Sequence, residues 1–113
     1  MSTDDVAVAN FIRGLGYFAP HKLPNGEWAA LCRFILTVAV ISGIDSHGGY
    51  TGRWCYRSEA DARYGLLTWS GQGDPPGDWL KYKGMGPERR NPLNCPHVLR
   101  RLDGFCPECA TRP

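Results

Sequence analysis

A long apolar run followed by a strictly alternating segment constrains the fold of this chain more than any other feature. The run extends from Ala30 to Ile44, and the turn-like segment Asp45–Gly49 follows it. From Tyr50 to Arg57 every second residue is aromatic or glycine, which is the period of a strand with two different faces. The run also matches one face of a helix, but its β-branched residues favour a strand. The two segments together predict an antiparallel hairpin.

Two helices are predicted on either side of this hairpin. Asp4 to Leu15 has acidic residues at its start and apolar residues at the spacing of one helical face. Glu59 to Trp69 is the second helix, because Ser58 and Asp61 resemble a capping box with Asp in place of Glu. Within it, three residues repeat at helical spacing: Ala60, Tyr64 and Leu67.

The remaining segments complete a small α+β fold. Tyr17 to Gly26 contains two prolines and no clear period, so we expect a loop. Trp79 to Lys83 alternates weakly and predicts a third strand, with lysines that suit an exposed edge. We therefore expect a small antiparallel sheet (the hairpin plus an edge strand) with two helices in residues 1–92. A cysteine-containing C-terminal segment, residues 93–113, is expected to pack on the same domain.

Composition indicates the cellular compartment in which the protein occurs. Hydrophobic residues make up 42% and charged residues 21%, as in ordinary globular proteins. No basic region leads into an apolar run near Met1, so no secretory signal is predicted. The run from Leu31 to Ile44 is shorter than the ~20 residues of a membrane-spanning helix. Five cysteines without a signal indicate a reducing compartment. We expect a cytoplasmic protein with no membrane partner.

The C-terminal cysteines predict a structural zinc site. Cys106 and Cys109 have the spacing of a metal knuckle, similar to half of a zinc ribbon, after Gly104, which permits a tight turn. In the other half, Val98 replaces the second cysteine of a ribbon. The candidates for the fourth ligand are therefore His97 and three residues elsewhere, Cys55, His47 and His21. The primary candidate set is Cys95, His97, Cys106 and Cys109.

An enzymatic role is not predicted. Zinc deaminases pair His-x-Glu with Pro-Cys-x-x-Cys, whereas this chain has no His-x-Glu and has Phe105 in place of that proline. No Cys or Ser stands in a recognised spacing with a base. The enzymatic alternative is a zinc site with one protein ligand missing, because catalytic zinc keeps an open position.

A basic and aromatic C-terminal third is the second candidate site. Residues 81–113 carry seven Lys or Arg against three Asp or Glu, whereas residues 1–80 carry six against eight. Cations neutralise phosphates and rings stack on bases, so this composition suits nucleic acid, and it equally suits an acidic protein. The alternative is a solvated basic face over packed Trp79 and Tyr82. The candidate partner-binding residues are Trp79, Lys81, Tyr82, Lys83, Arg89, Arg90, Arg100 and Arg101.

The order of features from Phe34 onward resembles a family of small uncharacterised proteins carried by bacteriophages and prophages. The resemblance covers roughly residues 34–92. It rests on an apolar strand, a tryptophan-centred strand, an alanine-rich helix with its Gly/Pro tail, and a final Trp-Leu-Lys: Phe34–Gly43, Arg53–Arg57, Thr68–Gly77 and Trp79–Lys81. Small proteins of mobile elements are often anti-defence factors, including anti-CRISPR proteins, which occupy a surface of a host complex.

Two functions follow as hypotheses. The first is a phage or mobile-element protein that blocks a host defence complex, a protein or ribonucleoprotein, through the basic and aromatic surface, as an anti-CRISPR protein does. The second is a zinc-ribbon-like nucleic-acid-binding protein, in which the same cations contact phosphates.

Overall fold

Two helices and six strands form the fold in the part of the chain that the structure, a computed structural model, describes. These residues are 3–81 and 89–91, and of Lys81, Arg89 and Arg90 only the backbone is described. The elements in chain order are α1 (Thr3–Gly14), β1 (Phe18–Lys22), β2 (Trp28–Arg33), β3 (Val38–Ser42), β4 (Gly52–Tyr56), α2 (Glu59–Thr68), β5 (Leu80–Lys81) and β6 (Arg89–Arg90).

The strands form one antiparallel meander in which each strand pairs with its neighbours in sequence, from β1 to β6. At the centre of the sheet, Leu31 pairs with Val40 and Val40 pairs with Trp54. The α+β class, the antiparallel sheet and the two helices are confirmed. Neither helix in the described ranges is long and apolar enough to cross a membrane.

The apolar run contains a turn that the sequence analysis missed. The single strand predicted from Ala30 to Ile44 is wrong, because the chain reverses at residues 34–37 and separates β2 from β3. The Phe34 amide donates to the Thr37 carbonyl at 2.9 Å and closes this turn. Neither central turn residue, Ile35 or Leu36, is a Gly, Pro or Asn, so composition does not mark the reversal. The return strand predicted over Tyr50 to Arg57 is confirmed as β4.

The first strand is a second correction. The loop predicted from Tyr17 to Gly26 contains β1, which pairs with β2. Its register shifts between Phe18 and His21, where Ala19 has a φ of 50°. Pro20 is tolerated because it lies in this irregular stretch of a strand that pairs on one side only.

Both predicted helices are present, but α2 buries a different face from its regularly spaced residues. The Ser58 hydroxyl accepts from the Asp61 amide at 3.1 Å, which confirms the predicted cap. The spaced set Ala60, Tyr64 and Leu67 is exposed to solvent. The buried set is Ala62, Gly65 and Leu66, and at Gly65 a side chain would overlap the Tyr56 hydroxyl. Small residues therefore let α2 lie close to β4.

The sheet is covered on both faces, which explains why every residue of β3 is buried. One face packs against α2 and the residues that follow it, with Leu31, Val40, Trp54 and Tyr56 contributed by the strands. The other face carries a smaller cluster that includes Ile12 of α1. Burial on both faces removes the alternation typical of a half-exposed strand, so the run in β3 resembles a helix as much as a strand.

The predicted third strand is present in a shorter form and a different position. β5 covers Leu80–Lys81 and pairs with both β4 and β6, so it is not an edge strand. The proposed segment 93–113 lies outside the described residues.

Candidate protein-binding site

The turn between β2 and β3 exposes two adjacent aliphatic side chains. We call residues 34–37 the hairpin tip. Ile35 is 99% exposed and Leu36 is 86% exposed, whereas the next most exposed large apolar residues in the described part of the chain, Tyr64 and Leu67, are 63% and 62% exposed. Burying one such aliphatic side chain is worth about 1.5–3 kcal/mol. The fold of the described residues gains almost none of this stabilisation from Ile35 and Leu36, and it is available for binding.

An apolar groove lies beside the hairpin tip. Its volume is about 330 Å³, and its walls come from the tip and from β4: Phe34, Ile35, Leu36, Thr37, Arg53 and Cys55. The Arg53 guanidinium lies over the Phe34 ring, 5.1 Å from its centroid. Burial raises the pKa of the Cys55 thiol, so this side chain is neutral at physiological pH. The groove thus combines an uncharged floor with a cationic wall.

Arginines surround the base of the hairpin tip. Arg33 ends β2 and donates to Glu59 at 2.6 Å, and Arg63 donates to the same carboxylate at 2.9 Å. The hydrogen bond from Arg33 contributes most to lowering the pKa of Glu59, and the hydrogen bond from Arg63 lowers it further. The Arg33 guanidinium also lies over the Phe18 ring, 4.9 Å from its centroid, and its side chain is 61% exposed. Arg57 follows β4 at the same end of the sheet and is exposed.

The predicted basic and aromatic site falls only partly within the described residues. Trp79 is a correction: it is 1% exposed, and its indole N–H donates to the Pro75 carbonyl at 2.6 Å. The ring is part of the core and unavailable to a partner, as the alternative interpretation held. The register places Lys81 opposite Arg89 and Leu80 opposite Arg90. Four other candidates lie outside the described residues: Tyr82, Lys83, Arg100 and Arg101.

The predicted zinc site cannot be located in the described part of the chain. Its primary ligands, Cys95, His97, Cys106 and Cys109, all lie outside it. The three alternative ligands lie on separate elements: Cys55 in β4, His47 in the turn after β3, and His21 in β1. Within residues 3–81 and 89–91 no three potential ligands of the His, Cys, Asp or Glu type cluster.

A second groove, of about 470 Å³, runs along the segment after α2. This segment, residues 69–79, is tied to the sheet by side chains of β4 and of its own tryptophan. The Trp54 indole donates to Asp74 at 3.0 Å, and the Tyr56 hydroxyl donates to the Pro76 carbonyl at 2.6 Å. Trp54 also packs edge-on against Trp69, with ring centroids 5.1 Å apart. These contacts hold the fold together, so this groove is the weaker candidate.

The hairpin tip was missed by the sequence analysis, although one signal was available. The apolar run from Ala30 to Ile44 is 15 residues long, whereas strands usually have 3–10 residues. A reversal inside the run was therefore to be expected, and it would have placed aliphatic residues at a turn.

The comparisons with known proteins add no relative. No family model matches the chain, and no curated protein and no solved structure matches it. The resemblance to phage and prophage proteins stays a prediction.

Proposed function

We propose that this protein is a non-enzymatic inhibitor of phage or mobile-element origin that binds a host defence complex in the cytoplasm. The hairpin tip is the described part of its contact surface. The observation that carries this proposal is the exposure of Ile35 and Leu36, at 99% and 86%. The resemblance of residues 34–92 to phage and prophage proteins supports the choice of target.

The geometry of the hairpin favours binding over a solvated turn. Interface energy concentrates in a few anchors that become fully desolvated, and two adjacent aliphatic residues at a protruding turn can enter a partner's pocket together. Five register pairs between β2 and β3 support the turn. The backbone that carries the two anchors is therefore held in place, which reduces the backbone entropy lost on binding.

The thiols of the described sheet argue against nucleophilic catalysis. Burial raises the pKa of both Cys32 and Cys55, which disfavours the reactive thiolate. A surface-binding mode of inhibition needs no such group.

A phage-plating assay tests the proposal. The chain is expressed in bacteria whose CRISPR–Cas immunity restricts a phage, with one strain for each immunity type, and plaques are counted. We expect the wild type to restore plaques in at least one strain. Ile35→Ser with Leu36→Ser should reduce this restoration, because loss of two anchors weakens binding by at least ~10-fold.

Leu67→Ser is the matched control, since Leu67 is an exposed leucine on α2, away from the hairpin tip. This variant should restore plaques as the wild type does. Full activity of the double serine variant would reject the hairpin tip as the contact. No restoration in any strain would reject the role in defence.

Nucleic-acid binding is the second candidate, and one observation favours it. Lys81 and Arg89 occupy directly opposite positions in β5 and β6. This register brings two basic residues to one position of the sheet, and phosphate is the group that lysine and arginine neutralise. Gel shifts with single-stranded and double-stranded DNA and RNA should show binding that falls steeply with salt and is weakened by Lys81→Gln with Arg89→Gln. Absence of binding at low salt would eliminate this candidate.

A further inference from the structure

We infer that the partner of the hairpin tip is a protein surface with an aliphatic pocket bordered by carboxylates. This inference rests on the proposed binding function and specifies the chemistry of its target. It combines three features of one end of the sheet: two protruding aliphatic residues, a groove beside them, and an excess of arginine around both.

The protrusion and the groove form a complementary pair of shapes. Ile35 and Leu36 project from the turn, while the neighbouring groove of about 330 Å³ is as large as a small ligand site. A partner that receives the two aliphatic residues in a pocket can insert an apolar side chain of its own into the groove. The neutral thiol of Cys55 keeps the groove suitable for an apolar group.

The charges define the border of the partner's pocket. Among the residues that the structure describes, this end of the sheet and the first turns of α2 carry four arginines and three carboxylates, which leaves an excess of one positive charge. They are Arg33, Arg53, Arg57, Arg63, Glu59, Asp61 and Asp78. One carboxylate, Glu59, is shared between two guanidinium groups. Further carboxylates from a partner would therefore complement this surface.

Arginine makes these contacts specific. Its planar guanidinium donates two parallel hydrogen bonds to a carboxylate, and stacking on an aromatic ring fixes its plane. Arg33 lies over Phe18 and Arg53 lies over Phe34, at 4.9 Å and 5.1 Å from the ring centroids. Two guanidinium groups are thus held in set positions at this end of the sheet, and that of Arg53 lines the groove together with the aliphatic residues.

The groove favours a protein over a lipid surface. An anionic bilayer would accept the aliphatic residues and attract the arginines, but it has no fixed shape that would fill a concave site beside them. A folded partner can match the protrusion, the groove and the arginine positions together.

A random-peptide display library gives a direct measure of the preferred chemistry. Wild-type protein is the bait, and Ile35→Ser with Leu36→Ser is the counter-selection bait. We expect enriched peptides to combine aliphatic or aromatic residues with Asp or Glu, and to lose binding to the double serine variant. Enriched peptides without an acidic preference, or no peptide that depends on the hairpin tip, would overturn the inference.

Charge variants test the arginines separately, on enriched peptides. Arg33→Gln with Arg57→Gln should weaken binding by about 10-fold, mainly through slower association, and should flatten its salt dependence. The matched control is Arg13→Gln with Lys22→Gln, which removes the same charge from exposed positions on α1 and β1. Equal affinity of the two double variants would overturn the inference.

Two further measurements test whether a lipid bilayer or a second copy of the chain binds this surface instead. Co-sedimentation with phosphatidylglycerol vesicles, lost in the double serine variant, would overturn the inference in favour of lipid. A concentration-dependent dimer in analytical ultracentrifugation, also lost in that variant, would overturn it in favour of a second copy. Neutral peptides that need the hairpin tip would overturn the inference and leave the binding function standing. Plating activity that persists without the tip would reject the tip as the contact, whereas no restoration of plaques in any strain would remove the function itself.

Discussion

The hairpin tip and the segment 69–79 are both irregular connections, yet they use their residues in opposite ways. The hairpin tip contains neither Gly nor Pro and leaves Ile35 and Leu36 in solvent. Segment 69–79 contains glycines and prolines and begins and ends with buried tryptophans, at 4% and 1% exposure. Composition alone would have predicted the opposite, with the apolar hairpin tip in the core and the segment rich in glycine and proline in solvent. The comparison shows that a connection belongs to the core when the rest of the fold supplies packing and hydrogen-bond partners for its side chains. The residue types in the connection do not decide this.

The largest effect should come from the segment that belongs to the core. Trp79→Ala removes a buried ring and its hydrogen bond to the Pro75 carbonyl, so we expect the free energy of unfolding to fall by about 3–5 kcal/mol. Urea denaturation followed by circular dichroism measures this change. Tyr64→Ala is the control, because Tyr64 is an exposed aromatic residue, and it should cost far less. Equal losses in the two variants would contradict the assignment of Trp79 to the core.

A smaller effect isolates the contact between segment 69–79 and β4. Gly77 has a φ of 105°, and a Cβ there would lie 2.8 Å from Cε2 of Tyr56. Gly26 has a φ of 91° and no heavy atom within 4 Å of such a Cβ. Both alanine variants should lose about 1–2 kcal/mol of stability because of the backbone conformation, and Gly77→Ala should lose about 1–3 kcal/mol more because of the overlap.

Urea denaturation of the two glycine variants gives this difference directly. Similar stability of Gly77→Ala and Gly26→Ala would mean that segment 69–79 can move away from Tyr56 without cost. The contrast between the two connections would then be weaker than the hydrogen bonds suggest.

The hairpin tip should respond to substitution hardly at all. Ile35→Ser with Leu36→Ser changes side chains that have almost no contacts, so the free energy of unfolding should stay within about 0.5 kcal/mol of the wild type. The same denaturation experiment provides the value. A loss above 1.5 kcal/mol would show that the aliphatic residues support the fold and would remove them from the proposed contact surface.

The smallest effect concerns the charges at the base of the hairpin tip. Hydrogen bonds from Arg33 and then Arg63 lower the pKa of Glu59 below its ordinary value. A lowered carboxyl pKa stabilises the fold above the unfolded pKa of about 4.3, and this contribution is lost as the pH falls through the folded pKa. Arg33→Gln should move the Glu59 pKa upward in a carbon-13 NMR titration. Arg13→Gln should leave it unchanged, and an ordinary pKa in the wild type would contradict the shared ion pair.

Local patterns were sufficient for the elements with local causes. The cap at Ser58 predicted the start of α2, and the alternation from Tyr50 to Arg57 predicted β4. The turn at residues 34–37 was not predictable in this way, because β3 is buried on both faces and its neighbours impose no alternation. β1 was missed because Pro20 is acceptable only at an edge, and the edge is defined by the order of the whole sheet.

The candidate site was less accessible to sequence reasoning than the fold. Trp79 is apolar, aromatic and next to basic residues, which fits a contact surface as well as a core, and only the position of Pro75 separates the two. Ile35 and Leu36 looked like strand interior. The interpretation of the zinc ligands and of Arg100 and Arg101 stays a prediction, since these residues lie outside the described part of the chain.

Five register pairs below the hairpin tip hold β2 and β3 together without any help from the two residues at its end. Selection can therefore exchange those residues freely while the rest of the molecule stays intact. Under the anti-defence role proposed above, such an arrangement would let the protein follow a changing host target through substitutions at two positions. It also makes the same position a convenient place to install new specificities by directed evolution.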